Sequence, residues 1–237
     1  VCDVTASTQP TSIDDLMEQA SQALLDTDYF KVETLCTKAV SKARRARDFE
    51  RLSRIILPLQ EARRQRRHEA FDTGHRQVLS KLADLKKVHP AGVYLLRPPI
   101  IGIESRIVRE TAFRKKVPIA VLVREPTTAA GMWPLALTVP ERSIRIQVPA
   151  PESDENAPPT AAWFMASIEA LGDAAIASLN PKDPAQWRVD DLLEFIDALP
   201  EHEKLHQRLA AECRVAMHEP EPLEERFRGY RGNPNSF

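Results

Sequence analysis

The chain has 237 residues, a formal net charge of −1, 43% hydrophobic and 28% charged residues. That is the make-up of one large globular domain or two small ones, and it excludes a disordered chain, a collagen and a disulfide miniprotein. With seven glycines it holds no G-x-G-x-x-G, no G-x-x-x-x-G-K-[ST] and no G-x-S-x-G, so a dinucleotide fingerprint, a P-loop and a nucleophile elbow are excluded as well.

Residues 12–88 predict helices. Ser12 and Asp15 form a candidate capping box. Ile13, Leu16, Met17, Ala20, Ala23 and Leu24 follow the spacing of one buried helical face. After Asp26-Thr27-Asp28, a second stripe runs through Val32, Leu35, Cys36, Ala39, Val40 and Ala43. Asp48 is placed to cap a third helix carrying Phe49, Leu52, Ile55, Ile56 and Leu59, which Pro58 is expected to kink. Val78, Leu79, Leu82 and Leu85 predict a fourth helix over 75–87.

A 34-residue frame from Ile13 puts Leu16, Ala20, Tyr29, Cys36 and Ala39 at the large and small positions of a helical hairpin. Residues 13–46 thereby resemble a tetratricopeptide repeat. Val32 replaces the usual small residue, Arg44 stands where that family closes with Pro, and the next frame puts Arg54 at a small-residue position. The resemblance implies hairpin geometry and the binding of peptides or proteins. A plain helical bundle is the alternative reading of the same stripes.

Residues 91–150 form a small α/β region. Strands are predicted at 92–96 and 118–123, joined by a helix at 104–116, which makes a parallel pair. Further strands are predicted at 134–139 and 143–148. Residues 149–159 read as an acidic, Pro-rich linker. Helices are predicted at 160–179 and 189–199, and a last one from Pro200 to about 218. The tail, 219–237, is expected to lack fixed structure. The fold class expected is α+β, mainly α: N-terminal helical hairpins, a central βαβ-containing sheet and C-terminal helices.

Cys2, Cys36 and Cys213 form no C-x-x-C pair, which suits a reducing compartment. The first eleven residues lack the apolar core of a signal peptide, and the longest apolar run, 117–123, is too short for the ~20 residues of a membrane span. A cytoplasmic protein without a membrane partner is expected.

His202-Glu203-Lys204-Leu205-His206 fits H-E-x-x-H and over those five residues resembles zinc metallopeptidases. Lys204 within the motif and Pro200 just before it depart from that family's pattern. The alternative is two structural histidines, and no cofactor is expected. His202 and His206 are the metal candidates that the sequence offers. Eleven basic residues crowd between Lys38 and Arg67. Arg44, Arg47, Arg51 and Arg54 would form one stripe on a continuous helix, with Arg63 and Arg67 in a second patch. Such patches attract phosphates, although no aromatic residues are interleaved for base stacking. Arg97 and Arg124 fall at the carboxyl ends of the predicted parallel strands, where α/β units bind ligands. Residues 1–150 carry 25 basic and 17 acidic side chains, whereas 151–237 carry 8 and 17. Docking of the acidic segment on the basic part is therefore expected. The function expected is a non-catalytic adaptor with a protein partner; the alternatives are an RNA-binding protein and a zinc hydrolase.

Overall fold

The first three helices each start on a side chain that accepts an orphan backbone N–H. Ser12 Oγ accepts from Asp15 N–H at 3.0 Å while the Asp15 carboxylate accepts from Ser12 N–H at 2.9 Å, the predicted capping box. Asp28 accepts from Lys31 N–H at 3.1 Å and Asp48 from Arg51 N–H at 2.9 Å. In this computed structural model, which describes residues 11–127, 131–152 and 157–222, the helices are α1 (Ile13–Leu25), α2 (Tyr29–Arg45) and α3 (Phe49–Asp72). The two turns between them share one geometry. Thr27 (φ +57°) and Arg47 (φ +54°) take the left-handed conformation. The next residue, an aspartate each time, donates its N–H back to Ala23 O or Ala43 O at 2.9 Å and then caps the next helix. This reversal at Arg47 interrupts the helix between Arg44 and Arg51, so these arginines do not share one helical stripe.

α3 runs unbroken through Pro58. Arg54, whose carbonyl lacks the N–H that proline cannot supply, is on the exposed side, where water can serve it.

The helix expected over 75–87 is absent. Gly74 (φ +67°) turns the chain, β1 (Arg76–Leu79) follows, and Leu82–Asp84 is a single 3-10 turn. β1 lies parallel to β2 (Gly92–Leu96) with Arg76 opposite Val93 and Leu79 opposite Leu96. Val78 packs on one core and Leu79 on another, across the sheet. A strand buried on both faces shows the same short apolar run as a helix stripe, and that ambiguity produced the misreading.

The βαβ unit forms as expected: β2, α4 (Ser105–Arg114) and β3 (Ile119–Val123), in a parallel sheet ordered β1-β2-β3. β4 (Met132–Val139) and β5 (Arg142–Pro149) make an antiparallel hairpin, attached to β3 by a bridge between Arg124 and Leu135. Next come α5 (Ala161–Ala177), α6 (Ala185–Ala198) and α7 (Glu203–Ala216). α7 begins at Glu203, three residues later than Pro200 would place it: His202 is its N-cap, and Nδ1 accepts from Leu205 N–H at 3.2 Å. The predicted linker falls partly, and the tail mostly, outside the described residues, as does Cys2.

The fold is α+β and mainly α. One apolar core runs from Leu16 of α1 to Ala216 of α7 and includes one face of the sheet. The other face packs against α4 through Tyr94, Leu96, Val121 and Val108. Residues 12–88, 91–150 and 160–218 thus contribute to a common core. The middle of the outer edge of β3, at Val121, is covered by side chains. Val121 N–H meets Glu201 Oε1 at 3.3 Å, Arg109 Nη2 donates to Val121 O at 2.6 Å, and Arg109 pairs with Glu201. This ion pair stands where a neighbouring strand would otherwise bond.

Candidate functional site: an arginine-lined cleft

α2, α3, α4 and the α6–α7 turn meet around a cleft of about 390 Å³. Its wall begins at Glu33, a charged residue on the buried face of α2. Glu33 accepts from Arg63 Nε at 2.8 Å and, at its other oxygen, from Arg66. Arg63 is 7% exposed and its guanidinium is almost fully engaged. It also donates to Ile196 O at 2.8 Å and Asp197 at 3.1 Å, and Nη1 faces His206 Nε2 at 3.2 Å. Burial alone would raise the Glu33 carboxyl, but the charges of and hydrogen bonds from Arg63 and Arg66 outweigh it and hold it below the usual range. One turn on, Arg67 donates to Glu201 O at 2.9 Å and pairs with Glu203 at 2.5 Å.

Arg66 gives the cleft its most distinctive surface. Its guanidinium carbon lies 4.1 Å from the Phe30 ring centre and 5.1 Å from that of Phe113. Nη1 is tied to Glu33, while among the described residues Nε is buried without a partner and Nη2 makes no hydrogen bond. Burial lowers the Arg66 pKa, with Glu33 opposing that shift. Across from it α4 supplies Arg109, Phe113 and Arg114; Ile119 and Pro200 add apolar wall. Arg114 is exposed and has only a 3.4 Å contact to Thr111, with no carboxylate partner among the described residues.

The arginines picked from the sequence are dispersed. Arg44 pairs with Asp190 at 2.8 Å, Arg47 with Gln186 and Glu221, Arg51 with Asp14 and Asp48, and Arg54 with Glu50 at 2.5 Å. Arg63 and Arg67 are buried, Arg63 within the cleft wall and Arg67 one turn on. Arg124 is buried with its guanidinium 4.4 Å from the Trp133 ring centre, and Arg97 is half-buried at the end of β2. Neither lines the cleft.

His202 and His206 do not turn their nitrogens to one point. His206 Nδ1 contacts His202 O at 3.0 Å, its Nε2 faces Arg63, and burial together with Arg63 lowers its pKa to about 3. His202 Nε2 points instead to Glu169 and Asp173 of α5, each at 3.5 Å. Because Nδ1 accepts a backbone N–H, the ring proton sits on Nε2, toward the carboxylates. Lys204 already bridges the same carboxylates at 3.2 and 3.0 Å.

Arg109, Arg114, Glu33 and Phe113 were not singled out from the sequence. One signal pointed to Glu33: it keeps helical spacing with Tyr29, Cys36 and Val40, so a carboxylate occupies a core position. Comparison with known proteins returned no matching family model, no similar curated protein and no similar solved structure. No helix among the described residues is long and apolar enough to cross a membrane.

Proposed function

We propose that the protein is a non-catalytic adaptor that docks a protein partner at the arginine-lined cleft between α3 and α4. The observation that carries this reading is the guanidinium of Arg66, set against the edge-to-face pair of Phe30 and Phe113 with Nη2 donors to spare, opposite Arg114, which has no carboxylate partner among the described residues. Aromatic and arginine side chains grouped in a concavity are the residues that dominate interface energetics. The α1–α2 hairpin, with its tetratricopeptide-like spacing, forms the flank that carries Phe30 and Glu33. The ion pairs of Arg44, Arg47, Arg51 and Arg54 weigh against the nucleic-acid alternative, since a phosphate would have to displace a carboxylate at each. The neighbours of His202 and His206 likewise weigh against the zinc hydrolase. A cytoplasmic setting suits the buried free thiols of Cys36 and Cys213, both raised to about 12 by burial.

The test is affinity capture with the wild type and a Phe113→Asp/Arg114→Glu variant, each with and without nuclease. The expected result is a protein captured by the wild type after nuclease treatment and lost with the variant. Capture abolished by nuclease would favour the nucleic-acid reading; capture unchanged in the variant would put the docking surface elsewhere.

A further inference from the structure

The composition of the cleft narrows the chemistry of what enters it. Four arginines and three carboxylates line it, which leaves one positive charge. Two ion-pair partners outside the lining, the buried Glu201 on Arg109 and the exposed Arg106 on Glu110, cancel each other. Asp197 and Glu110 reach the rim, with the Asp197 side chain 72% exposed. A phosphate group, with a charge of about −1.5 to −2, would meet both carboxylates and exceed the one charge available. A single carboxylate matches it. Arg66 Nη2 and Arg114 can donate to its two oxygens, as guanidinium groups suit carboxylates. Phe113, Ile119 and Pro200 lie beside them and leave apolar area for a neighbouring side chain. A volume of about 390 Å³ corresponds to roughly a dozen waters, enough for two or three small groups and too little for a folded element.

From this we infer that the cleft is a recognition site for one carboxylate flanked by a large apolar side chain on a peptide segment, resting on the adaptor reading above. Such a carboxylate is either the α-carboxylate at a chain's C-terminus or an internal Asp or Glu; both present the same two oxygens.

Calorimetric titration at low salt decides it. The probes are N-acetyl-Leu-Phe with a free carboxylate, the same peptide amidated, amidated N-acetyl-Asp-Leu-Phe, its phosphoserine counterpart and a uridine 12-mer. At least one of the two carboxylate peptides is expected to bind with a dissociation constant on the order of 0.1 mM. Which of the two binds identifies the source. Arg114→Gln, at an exposed position, is expected to weaken that binding about tenfold with an unchanged melting temperature. Arg114→Lys should restore part of it, and Arg54→Gln should leave it intact. The inference is overturned if neither carboxylate peptide binds, if the amidated dipeptide binds equally well, or if the phosphopeptide or the oligonucleotide binds more tightly. A partner captured through Phe113 and Arg114 while no carboxylate peptide binds would leave the adaptor reading standing and remove this one. Peptide binding without such capture would do the reverse.

Discussion

Glu33 shows how much one side chain can control when it is buried among arginines. It is the counter-charge of both Arg63 and Arg66. Replacing it with Ala leaves two guanidinium groups short of an anion in the interior, a loss worth about 3–5 kcal/mol. Asp197, its exposed counterpart on Arg63, should cost under ~1 kcal/mol when changed to Asn. Urea unfolding of the two variants measures the contrast, and equal effects would mean that the buried pair is not the anchor. His206 adds a pH dependence. Burial and Arg63 lower its folded pKa to about 3 from an ordinary 6.5, so the fold holds the ring neutral. The unfolded chain takes up that proton once the pH falls below 6.5. Stability is therefore full above that pH and declines on acidification, by about 1.4 kcal/mol per unit, toward pH 3. His202, also lowered, contributes with the same sign, and the depressed Glu33 carboxyl adds its share only at lower pH. Urea midpoints at pH 7 and pH 5 should converge in His206→Gln relative to the wild type. An unchanged slope would show that the ring is not held neutral.

Among the elements, α5 and α7 depend on a single hydrogen at position 172. A Cβ added to Gly172 would fall 2.2 Å from Cγ of the His202 ring, which itself caps α7. Gly172→Ala must push the ring out or separate the helices. We expect a loss of about 1–3 kcal/mol, read as a lower melting temperature. A melting temperature equal to the wild type would mean that the ring moves without cost. Elements were legible where one signal was strong and local. Ser12 and Asp48 marked two helix starts, Asp26-Thr27-Asp28 marked a break, and the apolar stripes marked the buried faces behind them. Residues 75–87 were not legible, because Val78 and Leu79 serve opposite faces of a parallel sheet whose third strand arrives only after residue 118. The start of α7 was misjudged at Pro200 because the imidazole of His202, an uncommon cap, accepts the backbone N–H.

For the molecule as a whole, the uneven charge along the chain becomes a set of contacts. Asp190, Asp191, Asp197, Glu201 and Glu203 of the acidic segment pair with Arg44, Arg142, Arg63, Arg109 and Arg67. Apolar burial holds that arrangement: Phe164, Leu192, Phe195 and Leu205 are at most 1% exposed in the common core. A chain cut after residue 150 should therefore bare core surface and aggregate or bind a hydrophobic dye. A monomeric, dye-silent fragment would show that the first 150 residues carry a core of their own. The cleft was only half legible in the sequence. Arg63 and Arg67 stood out by their charge, yet their spacing after Leu52, Ile56 and Leu59 places them on the buried face of α3. Charge density does not tell which side of a helix meets solvent, and Arg109, Phe113 and Arg114 reach the cleft only through the βαβ crossover.

The ion pair at the margin of β3 also bears on self-association. An open strand margin is a template for intermolecular pairing, the route to fibrils. Glu201 and Arg109 already engage both backbone groups of Val121, so a second molecule would have to displace that pair to bond at the middle of the strand. In Glu201→Ala, the Val121 amide and the guanidinium of Arg109 lose that partner together. That variant should form thioflavin-positive polymers at concentrations where the wild type stays dispersed, and the absence of polymers would show that β3 is shielded by something other than this pair.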